Sequence, residues 1–153
     1  MSMTRFVRPI YTIILVILTW GGGVFLAMAG PSADGDQGEM TPQKAIALAE
    51  KFGVDVGEVD EEIKNILGLT KAEGVVVFAV IGGSPAELAG IKVKAVIKEV
   101  DKHEIKTLTD LGHALDKALQ TENFSVATYE PADPDNQGLT GGLNFHFVRL
   151  VKD

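Results

Sequence analysis

Cysteine is absent from the 153-residue chain. That excludes disulfides, zinc–thiolate and iron–sulfur sites, c-type haem attachment and a thiol nucleophile. Basic residues are scarce as well: 14 Lys and Arg stand against 21 Asp and Glu, for a net charge of −7 and a pI near 4.9. The sequence has no basic footprint for nucleic acid, and that class of partner is set aside. The length leaves no room for a multidomain enzyme or a barrel of eight βα units. The three histidines, His103, His113 and His146, form no H-E-x-x-H pair, so a zinc peptidase is not expected. The run from Asp133 to Gly138 has calcium-loop spacing at its start, but Asn144 stands where the twelfth-position carboxylate is needed. No cofactor or metal motif remains.

Charge is also missing from one stretch in particular. Residues 9–29, PIYTIILVILTWGGGVFLAMA, carry none, and only Arg5 and Arg8 are charged before residue 34. All 21 acidic residues lie after position 30, against 12 basic ones there (14 less Arg5 and Arg8), a local net of −9. About 20 apolar residues suffice to span a bilayer as a helix. The positive flank is expected inside, with residues 1–8 in the cytoplasm and the rest in the periplasm or outside. Two readings of residues 9–29 stay open. One is a retained single-pass anchor in the inner or cytoplasmic membrane. The other is a cleaved signal peptide, because Ala27-Met28-Ala29 fits an A-x-A site.

Residues 30–40 are small and polar and read as a flexible linker into a domain over 41–153. Thr41-Pro42 predicts a helix start, with a stop near Phe52-Gly53. Val54 and Val56 alternate as a brief strand, and 60–67 is a short helix. Residues 74–81, GVVVFAVI, are apolar on both faces and predict a central strand buried on both sides, Phe78 included. Ser84-Pro85 opens a short helix, and 95–100 is a strand. Thr109 is expected to cap a helix over 110–120 whose apolar positions include Leu111 and Leu115. Residues 124–129 and 143–151 predict two strands around a loop over 130–142. About five short strands with two or three helices predict an α+β domain, a small, partly open β-barrel capped by helices.

The order Phe52-Gly53-Val54, Gly74-Val75-Val76-Val77, Ser84-Pro85-Ala86-Glu87-Leu88-Ala89-Gly90-Ile91 and Ala95-Val96-Ile97 resembles bacterial PDZ domains. The nearest type is that of the HtrA/Deg and type II secretion proteins, here without a protease domain. The resemblance covers about residues 50–151. The chain departs from the pattern at Val93-Lys94-Ala95, where the family has a Pro-Gly-Asp turn. The resemblance implies a groove that adds a partner's C-terminal strand to a sheet edge. It implies main-chain N–H groups of Phe52, Gly53 and Val54 receiving the terminal carboxylate, with Lys51 beside them. It also implies an apolar pocket lined by Val54, Val56, Leu111 and Leu115. The two leucines fit the core stripe of an amphipathic helix as well.

These readings lead to a non-enzymatic, membrane-anchored adaptor whose partner is a protein C-terminus, held through residues 9–29. An alternative is a single-helix structural subunit of a larger membrane protein complex, its PDZ domain covering the outer face. A third, a regulator of a protease in trans, ranks behind both.

Overall fold

The computed structural model describes residues 38–132 and 141–151. Residues 1–37, which contain the uncharged run at 9–29, lie outside the described residues, as does the centre of the loop over 130–142. Among the described residues no helix is long and apolar enough to cross a membrane.

Helix α1 (Pro42–Phe52) begins where Thr41 Oγ1 accepts from Lys44 N–H at 3.3 Å, with Pro42 supplying the fixed φ of a first turn. It stops at Gly53, whose φ of 110° is left-handed and whose N–H donates to Ala49 O at 2.8 Å. Strand β1 (Val54–Glu58) follows at once. Helix α2 (Glu61–Leu67) is capped by Asp60 Oδ1, which accepts from Ile63 N–H at 2.8 Å. Strand β2 (Val75–Val80) leads to the one-turn helix α3 (Pro85–Leu88), capped by Ser84. Strand β3 (Val96–Val100) turns tightly into the two-residue β4 (His103–Glu104). Helix α4 (Leu108–Ala118), strand β5 (Asn123–Glu130) and strand β6 (Gly142–Arg149) complete the order.

The six strands form one antiparallel sheet in the order β1-β2-β3-β5-β6, with β4 paired to β3. This is the expected α+β class, with β4 as an additional strand. Among the described residues the order is open, with β1 and β6 at its two ends. The main core joins Ala45, Ala49 and Phe52 of α1 to Leu111 and Leu115 of α4 and to Val54, Val75, Val77, Phe124 and Val126 of the sheet. A smaller cluster, Val59, Val76 and Val96 with Ile63, Leu67 and Tyr129, brings α2 into contact with sheet residues.

Two expectations need correction. Helix α4 is capped by Thr107, two residues before the expected Thr109. Thr107 Oγ1 accepts from Asp110 N–H at 3.1 Å, and Asp110 Oδ2 accepts from Thr107 N–H at 3.0 Å. This reciprocal box satisfies two end donors at once, which a cap at Thr109 does not. Burial acts to raise the Asp110 carboxyl, but the hydrogen bonds from Lys106 and Thr107 and the Lys106 charge outweigh it and hold the group below its ordinary value.

The second concerns β2. Val75, Val76 and Val77 are buried, as a two-faced central strand requires, but Phe78 is 50% exposed. Beyond Val77 the strand has lost its β3 neighbour and pairs with β1 alone. Phe78 lies instead over Gly57 of the adjacent strand, where a Cβ would come within 2.5 Å of its ring. In the turn that departs from the PDZ pattern, Lys94 takes a left-handed φ of 69°. An L-residue there costs roughly 1–2 kcal/mol.

Candidate functional site

The residues expected to form the peptide site come together in space. Gly53 ends α1 and starts β1, so one glycine fixes where the loop turns. A Cβ at Gly53 would run into the Ser84 side chain, whose Oγ donates to Gly53 O at 3.4 Å while accepting from Glu87 N–H at 3.2 Å. Ile81 N–H donates to the same carbonyl at 2.8 Å. The loop before β1 is thus pinned to the loop before α3.

At the other end of β1, Glu58 Oε1 accepts from Leu108 N–H at 2.8 Å. This carboxylate sits at the N-terminus of α4, where charge and free amides favour it. It ties the far end of β1 to the start of α4.

The residues expected to line the apolar pocket are core residues. Val54, Leu111 and Leu115 are 0% exposed and Val56 is 5% exposed, and all four share one core cluster with Ala45, Ala49 and Phe52 of α1. Helix α1 packs closely on α4 because Gly112 has no side chain. A Cβ there would stand 2.5 Å from Met40 Sδ and 2.8 Å from Ala45 Cβ. Two of the three expected donors are engaged as well. The Gly53 amide bonds Ala49 O, and Phe52 belongs to α1, whose ladder takes its amide. Lys51 is exposed on the last turn of α1.

Register shows the state of the edge. Val54 opposes Val80, and the bond from Ile81 N–H to Gly53 O marks this as a non-hydrogen-bonded pair, so the Val54 main chain points away from β2. Val59 N–H bonds Gly74 O, which marks Glu58–Val75 in the same way; Val56, two residues before Glu58, also points outward. An incoming strand would meet these positions, yet Val54 and Val56 are buried as whole residues.

At the opposite end of the sheet, β6 has no second neighbour among the described strands. In β6, Leu143, Phe145 and Phe147 are 62%, 74% and 69% exposed. Their alternation is visible in the sequence. What the sequence does not show is that the strand is an edge and that this face lacks a cover. Beside them Lys98, Glu99, Ala127 and Tyr129 help line a shallow hollow of about 460 Å³. Burial lowers the Lys98 ammonium from its ordinary value, against the raising effect of Glu73 and Glu104, and its Nζ donates to Glu73 O at 2.6 Å. His113 is exposed on α4, whereas His146 is buried between Thr128 Oγ1 at 2.9 Å and Ala89 O at 3.1 Å. Among the described residues no group of three His, Asp or Glu is placed to hold a metal ion.

The chain is 28% identical over 117 residues to a probable periplasmic serine endoprotease, DegP-like, of Bartonella henselae. The match takes in 76% of this chain but only 23% of that protein, so the chain spans about a quarter of its relative's length. Two solved structures are similar at lower identity. One is the HtrA-type protease AlgW with a decapeptide, at 23% identity and a TM-score of 0.49, covering 64% of this chain and 27% of that one. The other is the PDZ domain of HtrA3 bound to a phage-derived ligand (FGRWV), at 16% identity and a TM-score of 0.49, covering 64% of this chain and 82% of that one. No protein-family model matches the chain.

Proposed function

We propose that the chain is a non-enzymatic protein-interaction module of the HtrA-type PDZ class, carried on the extracytoplasmic side of a membrane by residues 9–29. The observation that carries the reading is β1 as a sheet edge beside α4, entered through the Gly53 loop; a PDZ groove adds a C-terminal strand between such walls. The sequence similarity to the DegP-like endoprotease supports it. In this reading α1 is the resident of the groove, and a partner's C-terminus enters only when α1 moves out. Tethering to the same membrane raises the effective concentration of a partner, so a groove that opens rarely still acts.

The burial of the expected pocket residues also favours a second reading, in which the domain is the outer-face cover of a larger membrane complex and contacts its neighbours through other surfaces.

A wedge between α1 and α4 separates the two. Gly112→Leu places a side chain where Met40 and Ala45 now sit. The adaptor reading expects the variant to bind peptides with a free C-terminal carboxylate at least about tenfold more tightly than the native chain, a gain of about 1.4 kcal/mol. Amidated peptides lose that gain. Fluorescence anisotropy against a C-terminal peptide library gives the result, with a thermal melt to show that the variant stays folded. A folded variant that binds no peptide at about 1 mM sinks the adaptor reading and leaves the subunit reading in its place.

A further inference from the structure

The second edge of the sheet has a register that fits a copy of itself. Leu150 N–H donates to Glu122 O at 2.8 Å, which marks Asn123–Arg149 as a non-hydrogen-bonded pair. Counting back along the unbroken register, Phe147, Phe145 and Leu143 are of the same kind. These four residues therefore direct their N–H and C=O groups away from β5, at an edge that no described strand covers. Three of the four, Leu143, Phe145 and Phe147, also carry exposed apolar side chains. Main-chain donors and apolar surface thus coincide along one eight-residue strand.

Edge strands of this kind are normally defended by charges, proline or a bulge. Here the pairing with β5 shows no register shift, and β6 carries one formal charge, Arg149, at its end.

We propose that β6 is a homodimerisation edge, pairing antiparallel with β6 of a second copy about a two-fold axis at His146. In that register Leu143 pairs with Arg149 of the second copy and Phe145 with Phe147, each pair occurring twice. All four open positions on each strand are then used, for about eight main-chain hydrogen bonds. Any other register leaves at least one open position unmatched. Phe145 and Phe147 stand opposite each other as cross-strand aromatic pairs, which stabilise sheets. The arginines meet Leu143 rather than one another, so no like charges face across the axis. A foreign strand would have to supply this pattern of open amides and apolar side chains; a second copy has it already. An isologous two-fold contact is also the commonest way a chain meets itself. The surface is small, with three large side chains a copy, so the dimer is weak and concentration-dependent. The proposal does not depend on the PDZ reading, because β6 is the edge remote from β1 and α4.

The test uses the full-length chain in neutral detergent, with its mass followed by sedimentation from about 1 μM to about 1 mM, the span of weak association. The native chain is expected to pass from monomer to dimer over this span. The double variant F145E/F147E sets like charges opposite one another and should stay monomeric, and so should F145K/F147K. Both positions are more than two-thirds exposed, so the melting temperature should hardly move. Mixing the two variants in equal amounts places Glu against Lys in both pairs and should restore the dimer. A native chain that stays monomeric throughout overturns the proposal. So does a dimer that persists in F145E/F147E, which would locate self-association elsewhere, including residues 9–29. Failure of the mixture to dimerise rejects the register centred on His146.

Discussion

Replacing Phe52 by alanine should remove about 3–5 kcal/mol of stability, the usual cost of emptying a buried phenylalanine site. Phe52 is the last residue of α1 and is 0% exposed. Its ring lies 5.5 Å from that of Phe124 in β5, tilted by 55°. One side chain therefore ties α1, the start of β1 and a central strand to the same core. Phe78→Ala is the natural comparison. Because its ring is 50% exposed and rests over Gly57, its loss should come nearer to 1 kcal/mol. Chemical denaturation of both variants gives the contrast. If Phe52→Ala costs no more than Phe78→Ala, α1 is not part of the cooperative core, and the account of a groove closed by α1 fails with it.

Gly53→Ala should be nearly as damaging, by a different route. At φ 110° any side chain strains the backbone, and the new Cβ would overlap Ser84, which is itself tied to Gly53 O and to the first turn of α3. Strain and overlap together are expected to cost roughly 2–5 kcal/mol. Gly83→Ala separates the two causes. Gly83 has φ 75° but nothing within 4 Å of an added Cβ, so it should show strain alone, about 1–2 kcal/mol. Equal losses at the two positions would mean that the loop before α3 yields to the new methyl group and does not pin β1.

Much of this architecture was legible because local chemistry marked it. Thr41-Pro42 and Ser84-Pro85 begin helices as their residue types predict, and Gly53 ends one as its lack of a Cβ permits. The caps at Thr107 and Thr109 could not be separated by propensity alone. The Asp110 side chain decided between them by returning a hydrogen bond to Thr107. The burial of Phe78 was misjudged for a different reason. Periodicity reports that a strand is apolar on both faces, but not where along its length the neighbouring strand stops. The candidate site divides in the same way. That Val54, Val56, Leu111 and Leu115 belong together was implied by the resemblance to PDZ domains, and the four share one core cluster. That Ala45 and Ala49 would lie in the same cluster was not, because the fit of α1 on α4 depends on Gly112 and Met40 meeting across 72 positions of sequence. The β6 stripe was readable as a strand, but an edge is a property of the whole sheet.

The two edges of the sheet also differ in how their amides should exchange with solvent deuterium. Val54 and Val56 lie outside the β1–β2 ladder, and amides of that kind normally exchange within moments. Burial beneath the packed helices should instead slow them to the rate at which α1 itself detaches. Phe145 and Phe147 occupy the matching ladder position on β6 and are exposed, and in dilute solution they should label at once. The lag of Val54 behind Phe145 in such an experiment is then a direct clock for the opening of the groove, read without any ligand. If the two amides label together, the edge of β1 is already accessible.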